Sequence, residues 1–285
     1  MAEHPVFPYA RWSERLPDLQ RQFRSGDPFP HVRLTEFLEP AAAAACERDF
    51  PPPAAGDWTH YAHYNVRKLG RADRDAFPDS IRAVVDELQT PRFLAFLGAL
   101  TGIDGLLADP SLEGAGLHQT EPGGFLRVHA DFTMHNHRPR WRRRLNLLLY
   151  LNEDWREEWN GVLELWDREM THAVRRYPPL GNHAVIFATD ETSFHGHPLP
   201  LRAPGGRTRK SIALYYYTLD AATRPARSTD YRPLPGDGWL ERARIWLDVR
   251  ALDLYSRLKR RYRFSDRIAS RLLAALSSLR RRDRR

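Results

Sequence analysis

Six short strand-like segments between Gly116 and Thr218 constrain the fold of this 285-residue chain more than any other feature. They read GLHQTE, FLRVHADF, RRLNLLLYLN, GVLELWD, HAVIFA and KSIALYYYT, and polar or turn-forming residues separate them. Many short strands at this spacing are typical of a β-sandwich or barrel with helices packed outside it. We therefore expect a mainly β fold with flanking helices.

The residues before Gly116 combine helical patterns with loops. A short strand is expected at His31–Leu34, and helices are expected at Ala41–Arg48, Asp79–Leu88 and Pro91–Leu100. The expected regions are a helical and mixed support region (1–114), a β core (115–224) and a C-terminal helical basic extension (225–285).

Positive charge is concentrated at the C-terminal end of the chain. Arg257–Arg285 contains twelve Lys or Arg and two Asp, so its net charge of +10 leaves −2 for residues 1–256. A nearly neutral body argues against nucleic acid as its substrate. The apolar stripe in this segment is Ile268, Leu272, Leu276 and Leu279. It fits contact with an anionic membrane surface or an acidic partner such as a ribosome, or a helix that packs on the body.

Cysteine content and hydropathy narrow the class of protein further. The single cysteine, Cys46, excludes an internal disulfide framework and a Cys-rich zinc site. Met1–Arg11 lacks the basic start and apolar stretch of a signal peptide, and no stretch is apolar enough to span a bilayer. The expected location is the cytoplasm, with peripheral membrane association as the alternative.

The segment FLRVHADF places His129 and Asp131 on one face of a predicted strand. A buried carboxylate is costly unless it is paired or bound to a metal. His195, in TSFHGHPLPL, could complete a set of two histidines and one carboxylate, which suits Fe(II) and leaves three coordination positions open. A hydrogen-bonded pair is the alternative for His129 and Asp131 alone, and His197 is the alternative third ligand.

A second set of polar residues lies on two later strands. Arg209 and Ser211 share one face of RTRKSIALYYYT, whereas Lys210 lies on the other face. Because arginine presents a planar fork of donors, Arg209 could bind the far end of a dicarboxylate that chelates iron. Asn146 and Tyr150 lie on the polar face of RRLNLLLYLNEDW, although Tyr150 could also be a core tyrosine.

The polar segment HNHRPRWRRR follows the strand that carries His129 and Asp131. We expect His135 and His137 to face solvent or substrate rather than a metal. The cluster Arg138–Arg144 could be a solvated face, or it could steer an anionic or peptide substrate towards the site.

The order His129-x-Asp131, His195, Arg209-x-Ser211 resembles the iron- and 2-oxoglutarate-dependent dioxygenases. Within them, the blocks RLNLLLYLNEDW, NGVLELWD, SFHGHPLPL and RKSIALYYYT are similar to the prolyl 4-hydroxylase-like branch. The resemblance covers roughly residues 117–219, and it implies a double-stranded β-helix, also called a jelly roll. His129, Asp131 and His195 match the iron ligands of that family.

The same resemblance implies the cofactors and their contacts. Fe(II), 2-oxoglutarate and O2 are expected, with ascorbate as an optional addition. Arg209 matches the residue that pairs with the distal carboxylate of 2-oxoglutarate, and Tyr150, Ser211 and Asn146 are expected to line the same site. Collagen-type relatives use Lys as this anchor, but strand alternation favours Arg209 over Lys210.

The implied reaction is hydroxylation of an unactivated C–H bond with release of succinate and CO2. A prolyl residue in a peptide or protein is the first expected substrate, and a free amino acid or specialised metabolite is the alternative. The alternative of a different class is a catalytically idle jelly-roll binding module tethered through its basic tail.

Overall fold

The computed structural model describes residues 5–222 and 228–262. The helices are α1 (Tyr9–Glu14), α2 (Leu16–Arg24), α3 (Pro40–Arg48), α4 (Asp79–Glu87), α5 (Pro91–Thr101) and α6 (Trp239–Tyr262). The strands are β1 (His31–Thr35), β2 (Thr59–His63), β3 (Val66–Arg71), β4 (Leu107–Ala108), β5 (Gly116–Thr120), β6 (Phe125–Ala130), β7 (Trp141–Tyr150), β8 (Leu163–Trp166), β9 (Ala173–Tyr177), β10 (His183–Ala188), β11 (His195–His197), β12 (Arg209–Leu219) and β13 (Asp230–Tyr231).

These strands form one antiparallel sheet that curls into a jelly roll. Its order is β1-β10-β7-β12-β5-β3-β6-β11-β8-β9, with β13 on β6, β2 on β3 and β4 on β12. All six predicted strand segments are strands, so the mainly β prediction is confirmed. The predicted helices before them also form, within one or two residues of their expected ends.

Local sequence signals explain the ends of α5. The Thr90 side chain accepts a hydrogen bond from the Phe93 backbone N–H (3.1 Å), and Pro91 occupies the first turn. Gly102 ends the helix in the left-handed conformation, with φ of 73°. This helix then packs its buried face against the outside of the sheet.

The alternation of β7 separates the core from a central cavity. Leu145, Leu147 and Leu149 are fully buried in the cluster that includes the apolar residues of α2, α4 and α5. Asn146 and Leu148 line a cavity on the opposite face. The predicted polar face of this strand is therefore the inner face of the jelly roll.

Both ends of the described chain contribute to the same sheet. Residues 1–114 supply β1, which pairs with β10, and β3, which lies between β5 and β6. The hairpin of β2 and β3 was missed by the sequence patterns because its charged residues give no clear alternation. After residue 228, β13 pairs Tyr231 with His129 of β6.

The C-terminal extension is described only in part. Within the described residues, no helix has the length and apolar character needed to cross a membrane. The predicted stripe of Ile268, Leu272, Leu276 and Leu279 lies outside the described residues.

We expect Leu147→Ala to lower the free energy of unfolding by about 2–5 kcal/mol, because it leaves a cavity beneath the central strand. Urea unfolding followed by circular dichroism would measure this change. Leu219→Ala is the control, since Leu219 is 60% exposed, and it should change stability by less than about 0.5 kcal/mol. Equal losses in the two variants would contradict this description of the core.

Candidate active site

Three side chains from two strands converge at one end of the cavity. The antiparallel pairing of β6 with β11 sets His129 opposite His195, and the ring centroids are 4.5 Å apart. Asp131 directly follows β6. Its Oδ1 is 3.5 Å from His129 Nε2 and its Oδ2 is 3.3 Å from His195 Nε2. Within the described ranges, this is the group of side chains whose geometry could hold a metal ion.

Backbone carbonyls fix the orientation of both imidazoles. His129 Nδ1 lies 2.8 Å from the carbonyl oxygen of Arg127, and His195 Nδ1 lies 3.0 Å from that of Ser193. Because a carbonyl only accepts, each Nδ1 carries the proton and each Nε2 presents its lone pair to the cavity. Burial lowers the pKa of His129, and the neighbouring His195 adds to this effect. The neutral imidazole required of a metal ligand is therefore favoured.

Arg143 and Asn146 hold the carboxylate of Asp131 in place. Arg143 Nη2 and Asn146 Nδ2 donate to Asp131 Oδ2 over 2.8 and 2.7 Å, and Arg143 Nε donates to Asn146 Oδ1 over 2.7 Å. Burial opposes ionisation of Asp131, but the positive charge of Arg143 outweighs it and holds the pKa of the carboxyl well below its usual value. The acid is thus ionised at neutral pH.

A β-bulge explains why Arg143 reaches this position. Simple alternation places Arg143 on the core face with Leu145, but the pairing of β7 with β12 shifts register between Leu145 and Arg143. The shift turns Arg143 onto the inner face, where its guanidinium carbon lies 3.3 Å from the centroid of the Tyr215 ring. The prediction of a solvated face is therefore wrong for Arg143, because its side chain is fully buried.

Arg209 lines the cavity and is hydrogen-bonded to Tyr150, and both side chains are buried. Arg209 Nε donates to the carbonyl of Gly161 (2.7 Å), and its Nη2 donates to the Tyr150 hydroxyl (3.1 Å). Strand pairing sets Ser211 of β12 opposite Tyr150, and Ser211 lines the cavity. Lys210 points away from the cavity lining, as its alternation with Arg209 predicted.

No Asp or Glu in the described part of the chain lies within ion-pair distance of Arg209, although Arg209 is 5% exposed. A buried guanidinium without an acidic partner is costly, and an anionic ligand would remove that cost. Burial raises the pKa of Tyr150 despite the nearby Arg209, so the phenol remains a hydrogen-bond donor.

The two histidines beyond Asp131 differ in environment. The prediction that His135 faces solvent or substrate is wrong, because its side chain is only 1% exposed. Its Nε2 lies 3.2 Å from Asp109 and its Nδ1 lies 3.1 Å from Glu113. His137 is exposed, as expected. Neither residue lines the central cavity.

The cavity, of about 180 Å³, has further lining residues that the sequence patterns did not identify. They are Tyr61, His63 and Lys68 from the β2–β3 hairpin, His118 from β5, Tyr215 from β12 and Tyr231 from β13. His197 also lines the cavity, two residues after His195, and its buried Nδ1 has no hydrogen-bond partner. These residues come from strands that are distant in sequence, so only the order of the sheet brings them together.

Residues 115–217 match the family model of the 2OG-Fe(II) oxygenase superfamily. The chain carries a 2OG-Fe(II) oxygenase domain. It is therefore a dioxygenase, and the cofactors of this class are Fe(II), 2-oxoglutarate and O2. No curated protein sequence matches the chain.

Several solved structures are similar to this chain. One is a prolyl hydroxylase from Trichoplax adhaerens in complex with a peptide fragment of the hypoxia inducible factor oxygen degradation domain. It has a TM-score of 0.54 and 14% identity, over 73% of this chain and 91% of that one. A prolyl-4-hydroxylase from Pseudomonas putida has a TM-score of 0.49 and 20% identity, over 71% of this chain and 100% of that one. HygX from Streptomyces hygroscopicus, with nickel and 2-oxoglutarate bound, has a TM-score of 0.49 and 12% identity, over 74% of this chain and 96% of that one.

We expect Arg143→Met to weaken binding of a divalent metal by roughly 10- to 100-fold, because Asp131 loses the donor that orients it. Titration with Mn(II), followed by calorimetry, measures the affinity. Arg144→Met is the matched control, since Arg144 is half-buried near Thr218 and has no contact with Asp131. Equal affinities in the two variants would show that Arg143 does not support the site.

Proposed function

We propose that His129, Asp131 and His195 hold Fe(II) and that this oxygenase hydroxylates an unactivated C–H bond of its substrate. The observation that carries the proposal is the convergence of two Nε2 lone pairs and one ionised carboxylate at a cavity that also contains Arg209. In a hydrogen-bonded core cluster each Nε2 would donate to Asp131, whereas the contacts of both Nδ1 atoms with backbone carbonyls leave the Nε2 atoms as lone pairs.

The donor set fits the metal of the family. Two imidazoles and one carboxylate on one side of an ion suit Fe(II) and leave three positions open. With 2-oxoglutarate and oxygen, Fe(II) supplies the oxidising power for C–H hydroxylation, and succinate and CO2 are the expected co-products. Because Asp131 occupies the carboxylate position, the site retains the ligand set of a hydroxylase.

We assign the distal carboxylate of 2-oxoglutarate to Arg209 and Tyr150. Arg209 is held by Gly161 through Nε, so the rest of its guanidinium faces the cavity in a fixed plane. The Tyr150 hydroxyl, 3.1 Å from Arg209 Nη2, would add a second donor beside the guanidinium. Leu148 and Leu163 line the cavity beside this pair and limit the access of water.

A prolyl residue in a peptide or protein is the first substrate that we propose. Its support is similarity of fold to a prolyl hydroxylase solved with a peptide fragment, and a fold of this kind hosts many substrates. A free amino acid or a specialised metabolite is the second candidate. Lys68, which lines the cavity and contacts His118 rather than a carboxylate, favours a substrate that carries a negative charge.

Succinate release from 2-oxoglutarate, without added substrate, tests the proposed reaction. Protein loaded with Fe(II) in the absence of oxygen is exposed to oxygen, and we expect slow turnover that is lost in His195→Ala and Arg209→Ala. Binding of 2-oxoglutarate with Mn(II), measured by calorimetry, separates the two losses. His195→Ala should lose metal affinity, whereas Arg209→Ala should keep the metal and bind 2-oxoglutarate roughly 30-fold or more weakly.

Arg207→Ala is the matched control, since Arg207 is exposed two residues before Arg209. If wild type neither binds 2-oxoglutarate nor releases succinate, the oxygenase proposal is wrong and a binding module becomes the better description. Binding and turnover that survive in Arg209→Ala would instead contradict the assignment of the carboxylate anchor.

A further inference from the structure

Lys68 is a second cation in the cavity without an acidic partner. Its Nζ lies 3.5 Å from His118 Nδ1 and 5.7 Å from the centroid of the Tyr61 ring. Within the described residues, no Asp or Glu carboxylate lies within ion-pair distance of it. The hydrogen-bond contact of this half-buried ammonium is with the imidazole of His118, which carries no negative charge.

The position of Lys68 differs from that of Arg209. Lys68 lies on the β2–β3 hairpin, where Tyr61 and His63 also line the cavity and all three side chains remain half-buried. Arg209 is almost completely buried, and it lies across β5 from Lys68, because Leu69 pairs with Gln119 and Arg209 pairs with Thr120. Lys68 is thus the more accessible of the two cations, and it remains available to a substrate after 2-oxoglutarate has bound to Arg209.

An unpaired lysine in this place is energetically costly. Burial lowers the pKa of Lys68 to about 8, and Asp131 only partly offsets that effect, while Arg209 and Arg143 add to it. A structural lysine would gain by pairing with a carboxylate or by extending to solvent. A ligand with a negative charge would remove the cost that the protein itself leaves uncompensated.

We propose that Lys68, with His118 beside it, binds an anionic group of the substrate that is to be hydroxylated. The group is a carboxylate or a phosphate, and the substrate is a small acidic molecule such as an amino acid, an organic acid or a phosphate ester. This inference rests on the proposed function, because Arg209 must already hold the distal carboxylate of 2-oxoglutarate. A prolyl residue in a peptide would satisfy Lys68 only with an acidic group beside it.

Binding of two simple anions tests the site without knowledge of the substrate. Inorganic phosphate and acetate are titrated into protein loaded with Mn(II) and 2-oxoglutarate, and tryptophan fluorescence or calorimetry measures their affinities. We expect Lys68→Met to weaken anion binding about 10-fold or more, Lys68→Arg to retain it, and Lys210→Met to match wild type. The affinity for 2-oxoglutarate should stay within about twofold of wild type in Lys68→Met.

The outcomes separate this inference from the proposed function. Tighter binding of phosphate indicates a phosphate ester, and tighter binding of acetate indicates a carboxylate; both support the site. Equal anion affinities in wild type and Lys68→Met overturn it. A loss of 2-oxoglutarate affinity in Lys68→Met as large as that in Arg209→Ala also overturns it, since Lys68 then belongs to the co-substrate site. Failure of wild type to bind 2-oxoglutarate is seen separately and concerns the oxygenase proposal.

An independent observation concerns the outer face of α6. Trp239, Leu240, Trp246 and Leu247 are 75, 52, 57 and 59% exposed. Their spacing of seven residues places them on one side of the helix. The opposite side packs on the protein, where Ile245 is buried.

Polar contacts tie α6 to the hairpin that lines the cavity. Asp248 Oδ2 lies 2.7 Å from His63 Nδ1 and accepts a hydrogen bond from Asn65 Nδ2 over 2.6 Å. Glu241 pairs with Arg127 of β6. The exposed stripe therefore belongs to a helix that is held against the β2–β3 hairpin and β6.

We infer that this stripe docks on an anionic lipid surface. Tryptophan and leucine suit the interface between headgroups and acyl chains, and the exposed Arg242, Arg244 and Arg250 flank or extend the stripe. The sequence then continues into Arg257–Arg285, with its net charge of +10. A surface that combines apolar anchors with such a charge complements acidic lipid headgroups.

Co-sedimentation of the full chain with vesicles tests this second inference. We expect binding to phosphatidylcholine vesicles that contain phosphatidylglycerol, little binding to pure phosphatidylcholine, and binding about 10-fold weaker or more in Trp239→Ser/Trp246→Ser. Leu219→Ala, at an exposed site on β12, is the control. Absent binding, or equal binding by the double variant, overturns the inference. A wild-type dimer that becomes a monomer in the double variant also does so, because a second copy then covers the stripe.

Discussion

The ionised carboxylate of Asp131 is the constraint on which the rest of the site depends. A carboxylate in this position would be protonated or expelled without compensation. Arg143 and Asn146 of β7 provide that compensation, and Arg143 is itself packed against Tyr215 of β12. The same contacts that stabilise the charge also orient it. Any change that loosens β7 against β6 or β12 therefore acts on the geometry of the three convergent side chains.

The balance of charge among the side chains that line the cavity indicates that its ligands are anionic. Asp131 is the acidic side chain of the lining in the described part of the chain, and it faces the two histidines. Neither Arg209, which is buried, nor Lys68, which is half-buried, has a carboxylate within ion-pair distance among the described residues. Unpaired cations in a confined space raise the cost of the empty state. Two anionic groups, one at Arg209 and one at Lys68, would remove that cost.

The C-terminal part of the described chain connects this cavity to the outer surface. Tyr231 of β13 lies opposite His129 in the sheet, and His63 lines the cavity while it contacts Asp248 of α6. One layer of side chains thus separates the site from a helix whose other face is apolar and exposed. The extension is therefore part of the cavity wall, although its sequence indicated only a helical basic appendage.

The sequence determined the mainly β fold, because six segments alternate strongly enough to form strands wherever they pair. It also determined the faces of those strands, and so placed Arg209 with Ser211 and Asn146 opposite the leucines of β7. Tertiary structure alone decided the position of Arg143, since a β-bulge reverses the face that alternation assigns to it. It also decided the roles of Lys68, His118 and Tyr231, which become neighbours of the site only through the order of strands in the sheet. Local pattern fixes which way a side chain points along one strand, whereas pairing between distant strands fixes what that side chain meets.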